Sequence, residues 1–116
     1  MRFFIPKKIE SQNSFQYSHW RKYQKYARQW EQAVGFILRR APSSYPLAFR
    51  KIHIVSVRSR FLDVGNLIGG AKPLPDALKR LGWIVDDSTK WCEISYEQRK
   101  VTKGAPQTQG TIIEIE

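Results

Sequence analysis

Hydrophobic and polar positions alternate with two different periods along this chain, and the change of period marks out its elements. Arg2 to Pro6 (RFFIP) is a short apolar run closed by proline, as at the end of a strand. The polar KKIESQNSFQY stretch after it reads as a loop. A long helix is predicted from near Ser18, a suitable N-cap. Trp20, Tyr23, Ala27, Trp30, Val34, Ile37 and Leu38 then recur at helical spacing and are expected to face the core. Arg39 to Pro46 breaks that helix. Leu47 to Phe61 is rich in β-branched residues and reads as a strand. Apolar residues on both faces of its middle (Ile52, Ile54, Val55, Val57) predict a central position.

Beyond Asp63 the pattern shortens. Gly69-Gly70 and two prolines suggest a compact loop or single turn over 66–72. A helix comes next, from Pro73 or Pro75 to Leu81, stopped by Gly82. Lys90 to Val101 is a strand with partial alternation, Lys103 to Gly110 a turn or loop, and Gly110 to Glu116 a last short strand. The order β-α-β-α-β-β predicts an α+β fold, a mixed sheet with helices packed on it, in a single domain covering 1–116.

Composition adds a partner. The chain carries 20 Lys+Arg against 10 Asp+Glu, a formal charge of +10. A polyanion is the favoured ligand for such a surface, although the same charge also serves solubility alone. No lipidation motif or long apolar segment accompanies it, so no membrane association is expected. Arg21, Lys25 and Arg28 fall one turn apart on a face of the long helix, either an ordinary solvated face or one that tracks phosphates. Arg58 and Arg60 sit at the end of the central strand and point towards the Asp63 segment. A domain of this size buries only about two-thirds of its unfolded surface, so a homodimer would add stability. Cys92 is the only cysteine and reads as a small strand residue. His53 reads as a packed or hydrogen-bonded residue of the central strand. With no disulfide framework and no signal-peptide pattern, the expected location is cytoplasmic.

The chemistry is concentrated in one region. All four aspartates (Asp63, Asp76, Asp86, Asp87) lie in one stretch of a strongly basic chain. Carboxylates hold Mg²⁺, which keeps several waters and bridges to phosphate oxygens, while surrounding Lys and Arg draw in a nucleic acid. Metal-assisted phosphodiester cleavage is therefore one reading. The other is structural: Asp76 sits in the first turn of its helix, and Asp86-Asp87-Ser88 is turn chemistry. Charge and aromatics alone also fit an RNA-binding accessory domain.

The spacing of Asp63-Val64-Gly65-Asn66-Leu67, Lys72, Asp76-Ala77-Leu78, Gly82 and Asp86-Asp87 resembles the RusA family of Holliday-junction resolvases, in its phage and prophage branch. The specific likeness spans about residues 58–91. It implies a homodimer that binds branched double-stranded DNA and resolves four-way junctions by paired, symmetric, Mg²⁺-dependent nicks, with Mn²⁺ able to substitute and no small-molecule cofactor. By the same resemblance Asp63 and Asp87 are metal-ligating catalytic carboxylates and Asp86 a further ligand. Lys72 meets the scissile phosphate, Asn66 orients the site, and Asp76 steadies the helix or a neighbour of the ligands. Arg58, Arg60, Lys72, Arg21, Lys25 and Arg28 are the expected DNA contacts. The family often has an acidic residue just before the Asn, where this chain has Gly65. Either Asp86 or Asn66 completes the ligand shell, or metal binding is weakened. The alternative function is thus a catalytically impaired junction-binding protein of the same fold.

Overall fold

A computed structural model describes residues 1–16, 20–101 and 109–116. The expected turn over 103–110 and the expected N-cap Ser18 fall mainly outside them. Four strands, β1 (Arg2–Ile5), β2 (Arg50–Arg58), β3 (Cys92–Lys100) and β4 (Gly110–Ile115), form one mixed sheet in the order β1-β4-β2-β3. The helices are α1 (Asn13–Gln16), α2 (Trp20–Leu38), α3 (Val64–Ala71) and α4 (Pro73–Arg80). The α+β expectation holds in this form, and β2 is central as its two-sided apolar pattern requires. β2 and β3 pair in parallel across the α3–α4 crossover, the kind of long connection that parallel strands need. β4 runs antiparallel to both β1 and β2. Among the described residues no helix is long and apolar enough to cross a membrane.

The faces of β2 divide by parity. Ile52 and Ile54 meet Ile115 and Ile113 of β4 and Ile94 and Tyr96 of β3 under the helices. Val55 and Val57 look the other way and form a small second cluster with Ile112. α2 lays Tyr26, Trp30, Val34 and Leu38 onto the first face, a strict four-residue ladder. This corrects the expected stripe at its start. Trp20 is 59% exposed, whereas Tyr23 and Ile37, half-buried, pack against the core as expected, and Ala27 is half-buried. The omitted residue is Tyr26, whose hydroxyl donates to the Gly70 carbonyl at 2.6 Å and accepts from the Glu10 amide at 3.0 Å. Burial pushes that phenol up to about 12. At the other end, Arg39 takes a positive φ of 61° and closes the helix, while its carbonyl accepts from Trp83 Nε1 at 2.7 Å.

A second correction concerns 66–72, expected as a loop or single turn and found mostly inside helix α3. Paired glycines weaken an isolated helix, but here they let it approach the backbone after β1. A Cβ on Gly70 would stand 1.7 Å from the Glu10 carbonyl oxygen. One on Gly69 would stand 2.4 Å from the Gln12 side chain. α4 begins after Lys72 alone. Pro73 and Pro75 lie in its first turn, where a missing N–H costs nothing. Gly82, at φ +82°, ends it as predicted.

Gly70→Ala should lower stability by about 3 kcal/mol because its methyl meets a backbone oxygen rather than a movable side chain. Gly65 has nothing within 4 Å of its would-be Cβ. Gly65→Ala should therefore raise stability by roughly 0.5 kcal/mol through helix propensity. Urea unfolding of both variants checks the pair, and a Gly70→Ala protein as stable as wild type would refute the close-approach account.

Candidate functional site

Lys72 stands at the junction of α3 and α4, held by a continuous helical backbone on both sides. Its side chain lines an open cavity of about 230 Å³ together with Ile68, Gly69, Pro75, Asp87, Ile94 and Tyr96. The crossover helices thus supply a cation and the turn before β3 supplies a carboxylate to one concave surface. Apolar residues of α3 and β3 form its floor. Burial raises the Tyr96 hydroxyl above its ordinary range, so it stays protonated at neutral pH.

The other expected ligands are arranged less compactly. Asp86 is bound by Lys79 Nζ at 2.9 Å. That hydrogen bond, more than those from the Asp87 backbone and Ser88, holds its carboxyl below the usual carboxylate range. The Ser88 carbonyl accepts from the amides of Trp91 and Cys92, so a turn over Ser88–Cys92 follows Asp86-Asp87 and leads into β3. Asp63 is the exposed N-cap residue of α3, with no side-chain capping bond. It lies nine residues before Lys72, roughly 13 Å along a helix axis. Asn66 lines a separate cavity of about 370 Å³ with Gln12, Asn13 and Phe15, and its carbonyl accepts from the Gln12 amide. Asp76 occupies the first turn of α4, where its charge helps to raise the Tyr23 phenol, second to burial.

Among the described residues, no group of three or more His, Cys, Asp and Glu side chains is assembled to hold a metal. Mg²⁺ does not demand one, because one or two carboxylates, waters and the substrate's own phosphates complete its shell. The donors around Lys72 are hard oxygens, which suit Mg²⁺ or Mn²⁺ better than a softer ion. Asp87 is exposed and could take such a role. Asp86 would have to exchange Lys79 for metal.

The basic residues divide as well. Arg21, Lys25 and Arg28 surround one open cavity of about 390 Å³ with Trp20 and Gln24. Arg60 is exposed. Arg58, expected to point towards the Asp63 segment and to contact DNA, is instead buried. Its Nη1 donates to the Ile9 carbonyl at 2.7 Å and its Nε to the Arg60 carbonyl at 2.6 Å. This guanidinium ties β2 to the segment after β1, and burial lowers its pKa from the ordinary arginine value.

Sequence reasoning missed a polar network on the open face of the sheet. His53 Nδ1 lies 2.7 Å from Ser95 Oγ, and Nε2 lies 2.9 Å from Glu97 Oε1, with Arg99 bound to the same carboxylate. The ionic bond to Arg99 first, then the one to His53, keeps Glu97 below the usual carboxylate range. His53 is hydrogen-bonded as expected. Its partners could be found only from the β2–β3 register, which sets His53 beside Ser95. Compared with known proteins, the chain matches no family model and no curated protein.

Lys79→Met should return the Asp86 carboxyl towards the ordinary carboxylate range, as read from its side-chain carbon shift in an NMR pH titration. A carboxyl depressed in the folded state stabilises at neutral pH and loses that contribution as pH falls through its folded value. The wild type and Lys79→Met should therefore converge in stability under acid. An Asp86 titration that does not move in the variant would contradict the pairing.

Proposed function

We propose that the protein is a metal-dependent, structure-selective endodeoxyribonuclease of the RusA type, acting as a homodimer on four-way DNA junctions. The observation that carries this reading is that Lys72 and Asp87, far apart in sequence and both singled out by the family pattern, line one open cavity. A chain of +10 charge brings the polyanion to it.

Each residue has a task in that reading. The Lys72 ammonium binds a non-bridging oxygen of the scissile phosphate and stabilises the charge that grows there during in-line displacement. Asp87 and a released Asp86 are the carboxylates that would hold Mg²⁺ beside Lys72, and Asp63, at the other end of α3, would face the same backbone one helix length away. The bound ion would supply Lewis-acid stabilisation of the displacement. Ile68, Ile94 and Tyr96 limit water beside the phosphate and strengthen the Lys72 contact by lowering the local dielectric. Asn66, near the start of α3, acts by orienting the strand, and Asp76, in the first turn of α4, by steadying that helix. Arg60 and the α2 cations bind flanking phosphates, whereas the buried Arg58 supports the strand end that carries Arg60. A two-fold dimer matches a substrate that needs two symmetric cuts.

A second reading is a junction-binding protein that has lost catalysis. Two observations favour it: Gly65 offers no carboxylate, and Asp86 is already paired with Lys79.

Purified protein should nick a labelled synthetic four-way junction with Mg²⁺ or Mn²⁺ and not with chelator. Asp87→Asn should abolish cutting, and Lys72→Ala should slow it by about 10²- to 10³-fold. Cutting by Asp87→Asn at the wild-type rate would remove the catalytic assignment. Tight, salt-sensitive binding with no cutting in any divalent ion would establish the second reading. Gly65→Asp, which has open space for its side chain, should then lower the metal concentration needed for activity or restore it.

A further inference from the structure

Trp20 is the residue that departs furthest from its expected place. It is the first residue of α2 and is mostly exposed, although the sequence pattern expects it on the core stripe. An aromatic of this size is normally covered, and its exposure beside a charged surface marks a contact site. Its surroundings narrow the partner. Trp20, Gln24 and Arg28 succeed one another at four-residue intervals along one ridge of α2, and Arg21 and Lys25 form the adjacent ridge. All five line one open cavity of about 390 Å³, and no carboxylate is among them. The only acidic side chain of α2, Glu31, lies further along the helix and is bound by Arg80 at 2.7 Å.

We propose that this cavity seats an unpaired nucleobase, stacked on the Trp20 indole, with the phosphates on either side held by Arg21, Lys25 and Arg28. The inference rests on the reading of the protein as one that binds nucleic acid and adds to it a preference for unstacked strand. Aromatic side chains take bases of any sequence because every base has a π-face, and neighbouring cations track the backbone. A continuous duplex hides those faces inside its own stack, so the Trp20 indole meets an open base face only where the strand is single or opened at a branch. An acidic polypeptide would satisfy the cations and leave the indole unused.

The test is a titration of the full chain with single-stranded oligo-dT carrying one 2-aminopurine, beside the same sequence as a blunt duplex. Binding should quench the 2-aminopurine and should be tighter than to the duplex. Trp20→Ala should weaken single-strand binding by about 5- to 150-fold and abolish the quench. Trp20→Phe, which can still stack, should retain most of both. Lys25→Ala and Arg28→Ala should each reduce the salt slope by about one. The assignment is overturned if Trp20→Ala, folded by its unfolding curve, binds and quenches like wild type. It is also overturned if the duplex binds as well as the single strand, or if polyglutamate of matched charge competes as well as the oligonucleotide. None of these readouts involves cleavage, so failure of the endonuclease reading and failure of the base seat are scored separately.

Discussion

The Tyr26 hydroxyl joins three segments that are distant in sequence. It donates to the Gly70 carbonyl in α3 and accepts from the Glu10 amide in the stretch after β1, while its own backbone belongs to α2. Both backbone groups are close enough to share one hydroxyl only because residues 69 and 70 have no side chains. Ile9, between the hydroxyl's partner Glu10 and the strand, is fully buried, and its carbonyl takes the Arg58 guanidinium. A tyrosine, two glycines and a buried arginine thus fix where the crossover helices sit on the sheet. The position of Lys72, at the end of α3, depends on that seat.

This constraint also explains which parts of the fold were legible in sequence. The strands were, because β-branched runs and proline or glycine ends are local signals. β2 was placed centrally from Ile52, Ile54, Val55 and Val57 alone, and it does pair on both sides. α4 was legible from Pro73, Pro75 and Gly82. α3 was not, because Gly69-Gly70 weakens a helix locally and is compensated only by contact with residues 10 and 12, which no local window contains. The misplacement of Trp20 has a similar origin. Spacing defines a stripe, but a hydrogen bond at Tyr26 decides how far the helix is rotated.

Among the candidate site residues, Lys72 and Asp87 were selected by a family-like spacing, and the fold gives them a common cavity. The pairing of Asp86 with Lys79 had no such signal, since it depends on how the turn after Trp83 and Ile84 folds back along α4. Arg58 could not be told from Arg60 by sequence. Both are charged residues at a strand end, and only contact with the segment after β1 draws the first inward.

The order β1-β4-β2-β3 sets a temporal condition on this architecture. β1 and β2 are successive strands that never pair, and residues 110–115 occupy the space between them. Most of the chain must therefore be synthesised and roughly arranged before the sheet can become continuous, a long-range closure of the kind that slows folding. Until that last strand enters, two facing edges stay open side by side, shaped to take the same segment from a neighbouring molecule. In a crowded cell, exchange of β4 between copies is the misassembly this topology is most exposed to.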